Sequence, residues 1–221
     1  MKLDIVRGGG LCSNSFILSD EKEKKLFIID LGLTGKLSRF ALKKSLKKIV
    51  NEKYDDYELE VFLTHSHLDH IWGENNLKDF QKKTYSASEL AAKHINAQDE
   101  ITLLSKYRAK LSYSISKIYA DGDIIKFSDL EFEVIYAPGH TDGSAVLYDI
   151  NSKSLFAGDV VFSGGACGRV DFPTGDRWEM IASLEKLSKL DVDHLYSGHG
   201  PDLHQKVREN ILTAKNMMEY W

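Results

Sequence analysis

Apolar residues along the chain fall into short dense runs separated by polar turns. The segments SFILS (15–19), KLFIID (25–30), ELEVFLT (58–64), DIIKF (123–127), EFEVIYA (131–137), SAVLYDI (144–150) and SLFAGD (154–159) have the length and the β-branched and aromatic content of strands. Several are continuous rather than alternating, the pattern of a strand covered on both faces. Helical spacing appears between them. From Lys36 to Val50, Ala41, Leu42, Leu46, Ile49 and Val50 share one side while Lys43, Lys44, Lys47 and Lys48 face the other, as a solvated face. The same periodicity predicts a helix from about Asp176 to Leu190 that buries Met180, Ile181, Leu184 and Leu187, and a last one from about Leu203 to the end. A more polar helix is expected from Asp99 towards Lys117, lying over a pocket. Mixed strands and helices without a repeat, a low-complexity linker or a composition break predict one α/β domain over residues 1–221.

Composition narrows the classes of function. In 221 residues, 33 acidic side chains outnumber 29 basic ones, for a formal net charge of -4, so no broad basic face for nucleic acid is expected. No apolar stretch approaches a membrane span, and MKLDIVRGGG lacks the apolar core of a secretory signal. The expectation is a soluble, cytoplasmic protein with no nucleic-acid or membrane partner. Cys12 and Cys167 are too few for a disulfide framework and sit in no metal-type pair, so they read as buried or half-buried thiols.

The sharp signals fall where predicted strands end in loops, at THSHLDH, APGHTDG, AGD and SGHG. His65, His67, Asp69 and His70 place three imidazoles and a carboxylate within six residues, a pattern expected by chance only on the order of once in a thousand such chains. Imidazole with carboxylate suits Zn²⁺ and, with more oxygen ligands, Fe or Mn, and the lack of cysteine donors favours a catalytic over a structural site. His65 and His67, two apart, project from the same side of an extended loop, whereas Asp69 and His70 open a helix and point elsewhere. One motif therefore offers two ligand sets, which a single tetrahedral ion does not explain. His94, His194 and His204 lie outside the motifs and read as surface or packing residues, with His194, just before a strand, the candidate exception. Gly139, Gly158, Gly198 and Gly200 flank the motif residues and are expected to permit tight turns.

THSHLDH followed by APGHTDGS, LFAGD and YSGHGP resembles the ordered motif series of metallo-β-lactamase-fold hydrolases over nearly the whole chain. GGACGRVDFPTGDRWEMIASLEKL is similar to the short relatives of glyoxalase II, the hydroxyacylglutathione hydrolases. The resemblance implies a four-layer αββα sandwich with a binuclear site at one edge. Carried over by position, it implies His65, His67 and His140 on one metal, Asp69, His70 and His199 on a second, and Asp159 bridging both, with Asp30 of IIDLG orienting an imidazole from behind. A carboxylate closing the turn before Gly32 is the other reading of Asp30. Two divalent ions, zinc first and Fe or Mn as alternatives, would share a water and make it a bridging hydroxide at neutral pH, while Asp69 orients that nucleophile and moves its proton. The implied reaction is hydrolysis of a thioester or ester of a small molecule.

The substrate is less firmly implied. Cys167-Gly168-Arg169 supplies a basic residue suited to an anionic group, although pairing with Asp171 or Asp176 is an equally good use of Arg169. Asp171 stands where the family tends to have an aromatic, Gly200-Pro201 stands where the two-domain enzymes have a tyrosine-containing turn, and with 22 residues after His199 the helical domain of those enzymes is not expected. Thioester chemistry is thus implied more strongly than glutathione recognition. Tyr107, Tyr113, Phe162, Phe172 and Trp178 are candidate pocket walls. Competing readings keep the fold and change the reaction: a persulfide dioxygenase with one iron on His65, His140 and Asp159, or a lactonase or β-lactamase-like ring-opening hydrolase. A nuclease is less favoured for a short acidic chain, and a metal-holding module without catalysis is the non-enzyme alternative.

Overall fold

A computed structural model describes residues 1–33, 50, 54, 56–77 and 80–220. Among the described residues, eleven strands form two sheets. The first holds β1 (Lys2–Val6), β2 (Ser15–Asp20), β3 (Lys25–Ile29), β4 (Glu58–Leu63), β5 (Lys83–Ser88) and β6 (Lys117–Tyr119) in sequential order. Pairing in it is antiparallel from β1 to β3 and parallel from β3 to β6. The second runs β11 (His194–Ser197), β10 (Ser154–Gly158), β9 (Ala145–Asp149), β8 (Leu130–Tyr136), β7 (Ile124–Phe127), parallel only between β10 and β11. The described residues also form the α-helices α1 (Leu68–Ile71), α2 (Glu89–Ala97), α3 (Arg177–Leu187) and α4 (Val207–Tyr220), with short 3₁₀ turns between some of these elements.

The continuous apolar runs are explained by three cores. Within each strand one parity of residues faces the other sheet and the next parity faces a helical layer. Phe16, Phe27, Phe62, Phe132, Leu147 and Phe156 fill the space between the sheets, with Phe27 and Phe132 stacked at 5.8 Å. Their neighbours Ile17, Ile28, Val61 and Leu63 join Ala91, Ala92 and Ile95 of α2 on one outer face. Val146, Leu155 and Ala157 join Met180, Leu184, Leu187, Ile211 and Ala214 of α3 and α4 on the other. The result is the expected αββα sandwich.

The expected helix from 176 is α3, started by Asp176, whose carboxylate accepts the Trp178 and Glu179 N–H groups. The expected last helix begins at Val207. The helix expected over 36–50 lies, except for Val50, outside the described residues. No helix runs from Asp99 to Lys117. Two 3₁₀ turns, Glu100–Thr102 and Leu104–Tyr107, end at Leu103 and Arg108 in left-handed backbone. The chain beyond them is tied down by amides from α2 and its end: Asn96 accepts from Ile115 N–H and donates to its carbonyl, and Gln98 does the same for Leu111. These side chains take the backbone groups that a helix would have paired internally.

Candidate metal centre

Five loops at one edge of the sandwich converge. Asp30 follows β3, and Thr64, His65 and His67 follow β4 into α1, which carries Asp69 and His70. His140 lies between β8 and β9, Asp159 follows β10, and His199 follows β11. Backbone bonds lace the edge together: Ala145 N–H donates to Thr64 O at 2.9 Å, Leu31 N–H to His70 O at 2.8 Å and Gly198 N–H to Gly158 O at 2.7 Å.

All seven side chains expected in the metal set are brought together. Ligand atoms of His65, His67 and His140 lie within 4.8 Å of one another, as do those of His65, His70 and Asp159, and of Asp69, His70 and His199. Asp159 stands between the groups, its Oδ1 3.2 Å from His70 Nε2 and its Oδ2 3.6 Å from His140 Nε2 and 3.5 Å from His199 Nε2. His67 Nδ1 and His140 Nε2 are 2.8 Å apart. His65 Nε2, His70 Nε2 and Asp159 Oδ1 are buried without a hydrogen-bond partner. Imidazole nitrogens and carboxylate oxygens crowded together in the interior, several of them without a hydrogen-bond partner, fit a cation-binding cluster.

The outer partners set which nitrogen faces inward. His70 Nδ1 donates to Asp30 Oδ2 at 2.7 Å, His140 Nδ1 to the Arg169 carbonyl at 2.6 Å, and His65 Nδ1 to Thr64 Oγ1 at 3.1 Å. Thr64 passes the polarity on, since its hydroxyl and its N–H both donate to Asp30 at 2.8 and 2.9 Å. Asp30, 1% exposed and at φ 59°, is therefore a hub beneath His65 and His70 rather than only a turn residue. Thr64 and the Arg169 carbonyl were not visible in the sequence, because neither a common strand-end threonine nor a main-chain oxygen has a motif.

Protonation divides the centre. Burial, reinforced by the neighbouring imidazoles, holds His65 well below the usual histidine range, and burial with His140 beside it lowers His67 to about 3, so both keep a lone pair to donate. Burial opposes charge on His70 as well, but Asp30, Asp159 and Asp69 outweigh it and raise that imidazole well above the ordinary value. His199 is likewise raised against its burial by Asp69 and Asp159. Asp69 and Asp159 are lowered despite burial, chiefly by His70.

Close packing depends on two glycines. A Cβ on Gly198 would lie 2.3 Å from Asp159 Oδ1, and one on Gly168 would lie 2.7 Å from His140 Nδ1. Gly198 thus serves close approach, while Gly139, Gly158 and Gly200 have positive φ.

The aromatic candidates separate. Phe172 packs its ring against His67 at 5.3 Å and Phe162 against His199 at 5.9 Å. Tyr113 instead stacks on Tyr85 at 4.0 Å behind α1, while Tyr107 and Trp178 are exposed. The Arg169 guanidinium is exposed, binds Asp171 through two hydrogen bonds of 2.8 and 2.6 Å, and lies 4.5 Å over the Phe172 ring. It also lines a cavity of about 500 Å³ with Cys167, Val170, Ala214, Met217 and Met218, none of them among the seven donors. Burial raises the Cys167 thiol to about 11 and also raises Cys12, so both stay protonated and non-nucleophilic at neutral pH. His94 is bound between Asp99 and Asp142, and His194 pairs with His204 at 3.0 Å, so neither joins the centre. Among the described residues no helix is long and apolar enough to cross a membrane.

Comparison with known proteins agrees with this geometry. The sequence model of the metallo-beta-lactamase superfamily matches residues 8–199. A probable metallo-hydrolase of Methanocaldococcus jannaschii is 30% identical over 207 residues, covering 88% of this chain and 91% of that one. The hydroxyacylglutathione hydrolase GloC of Haemophilus influenzae is 30% identical over 231 aligned residues, covering 98% and 100%. The crystal structure of the B3 metallo-beta-lactamase BLEG-1 superposes with a TM-score of 0.74 at 22% identity, covering 98% and 96%, and shares the fold. On sequence, fold and the ordered loop motifs together, this chain belongs to the metallo-beta-lactamase superfamily, a family of metal-dependent hydrolases.

Proposed function

We propose that the protein hydrolyses a small anionic thioester, or a related ester, at a centre of two divalent metal ions, zinc being the expected metal. The observation that carries this reading is the convergence of the seven side chains, four of which, His65, His67, His70 and Asp159, bury a nitrogen or oxygen with no hydrogen-bond partner. His65, His67 and His140 would hold one ion, Asp69, His70 and His199 the other, and Asp159 both. Such a pair supplies a nucleophile, by lowering the pKa of water from 15.7 towards about 7, and a Lewis acid for the carbonyl oxygen.

The chain's own residues account for the rest. Asp69 is the partly exposed carboxylate of the set, 3.0 Å from His199 through Oδ2, and is placed to orient the attacking water and accept its proton before the thiol leaves. Phe162 and Phe172 flank the donors and limit water from two sides. Arg169 is the anchor for an anionic group: its partner Asp171 is exposed, and a surface pair of this kind is readily exchanged. The adjoining cavity suits an apolar acyl or thiol portion. The acidic net charge supports a small-molecule substrate over nucleic acid, and two free cysteines suit a reducing, cytoplasmic setting. Similarity to GloC supports the thioester class.

The test joins metal analysis of protein purified without added metal to turnover of S-lactoylglutathione and simple thioesters. Two ions per chain with release of thiol are expected. One iron per chain, oxygen consumption with a persulfide and no thioester hydrolysis would overturn the proposal.

A further inference from the structure

The donors are held in two different ways. His65, His70 and His140 are fixed through their own rings by Thr64, Asp30 and the Arg169 carbonyl. Asp69 and His199 are the more open pair, with side chains 22% and 28% exposed. Among the described residues their side chains make no hydrogen bond or ion pair outside the seven donors; they meet each other at 3.0 Å, and His70 and Asp159 at 3.7 and 3.5 Å. Their positions must come from the main chain.

That main chain is gripped by the segment after β1. Ser13 donates to the Asp69 carbonyl twice, from Oγ at 2.9 Å and from N–H at 3.4 Å. Asn14 surrounds His199: its N–H donates to Gly198 O at 2.7 Å, and its amide donates to Ser197 O at 2.9 Å and Gly200 O at 3.0 Å. The amide oxygen accepts from Gly8 N–H at 3.0 Å, which ties the glycine-rich stretch to the same loop. Asn14 is 2% exposed and uses both amide hydrogens and its oxygen. Aspartate has no donors for the two carbonyls, and serine is too short to reach both.

We propose that Asn14, assisted by Ser13, is the positioning residue of the outer half of the centre: by clamping the carbonyls on both sides of His199 next to the tether on Asp69, it determines whether the ion on Asp69, His70 and His199 is retained. This rests on the two-ion reading above. The test uses the full chain, stripped with a chelator and titrated with Zn²⁺ against a chromophoric competitor, with Co²⁺ absorption reporting the geometry of each ion. Wild type is expected to take up two ions. Asn14→Ala and Asn14→Asp are expected to keep the ion on His65, His67 and His140 with its Co²⁺ spectrum unchanged, and to bind the second about 10–100-fold more weakly. Ser13→Ala, which removes one of two bonds to Asp69, serves if the Asn14 variants do not fold, and should weaken the second ion alone by several-fold. Unchanged binding of both ions, or equal weakening of both, in whichever variant is folded would overturn the inference. Failure of wild type to bind two ions would instead remove the reading beneath it, and the inference with it.

Discussion

Removing the Asp30 carboxylate gives the sharpest local perturbation of this architecture. Its oxygens accept three hydrogen bonds, from Thr64 N–H at 2.9 Å, the Thr64 hydroxyl at 2.8 Å and His70 Nδ1 at 2.7 Å, and the residue is 1% exposed. Asp30→Ala leaves the Thr64 and His70 N–H groups buried and unpaired, at about 1–3 kcal/mol each. Alanine at φ 59° adds about 1 kcal/mol, because a side chain without a local hydrogen bond gains nothing from left-handed backbone. The expected loss is therefore about 3–7 kcal/mol in urea unfolding of chelator-treated protein. Asp30→Asn keeps the volume and tolerates the backbone, but offers one acceptor oxygen to groups that need two. It should remain folded, lose about 1–3 kcal/mol and bind zinc about 10–100-fold more weakly in a competition titration, since the ring it orients is His70. An Asp30→Ala variant within about 1 kcal/mol of wild type, together with an Asp30→Asn variant of wild-type zinc affinity, would show that Asp30 does not support the centre.

The His94 imidazole meets Asp99 at 2.7 Å and both Asp142 oxygens at 3.1 Å; burial opposes its charge, but those hydrogen bonds outweigh it and raise its pKa. A raised folded-state value stabilises fully below the unfolded pKa of about 6.5 and is lost as pH rises through the folded value, so His94→Gln should cost most near pH 6 and progressively less above it. Urea midpoints of both proteins across that range check this, and a pH-independent difference would count against it. Gly198→Ala places a methyl 2.3 Å from Asp159 Oδ1 and 2.7 Å from His70 Cε1, and should weaken zinc binding at least about 10-fold, as read by competition titration. Phe132→Ala, in the core between the sheets, should cost about 3–5 kcal/mol in chelator-treated protein yet leave metal stoichiometry unchanged, as measured by urea unfolding and elemental analysis.

The layered fold was legible because two-sided burial writes itself as unbroken apolar strands; Phe16-Ile17-Leu18 alternates between two cores without ever needing a polar residue. The seven donors were legible because imidazole and carboxylate at strand ends are costly to bury without a purpose. Strand β5, KTYSAS, carried no such signal. Its Ser86 is buried by bonding Val61 O and Glu60, and its Ser88 by capping α2 and donating to Gly143 O, so partners remote in sequence make small polar residues acceptable in the interior. Helix α2 was overlooked for a related reason, since two alanines and one isoleucine suffice to seal it against the sheet. Conversely, the polar stretch after Asp99 has helical spacing, yet Asn96 and Gln98 claim its backbone first. Thr64, Ser13 and Asn14 support the centre through hydrogen bonds to distant segments, and such contacts leave no local trace in the chain.

The proposed function requires that these donors hold two ions. Anomalous X-ray scattering recorded at the zinc edge from crystals of the zinc-loaded protein tests it most directly. Two peaks about 3.5–4 Å apart are expected, one about 2.0–2.1 Å from nitrogens of His65, His67 and His140, the other similarly close to His70 and His199 and about 2.0–2.2 Å from Asp69, with Asp159 reaching both. A single peak, or peaks whose ligands lie outside this set, would contradict it.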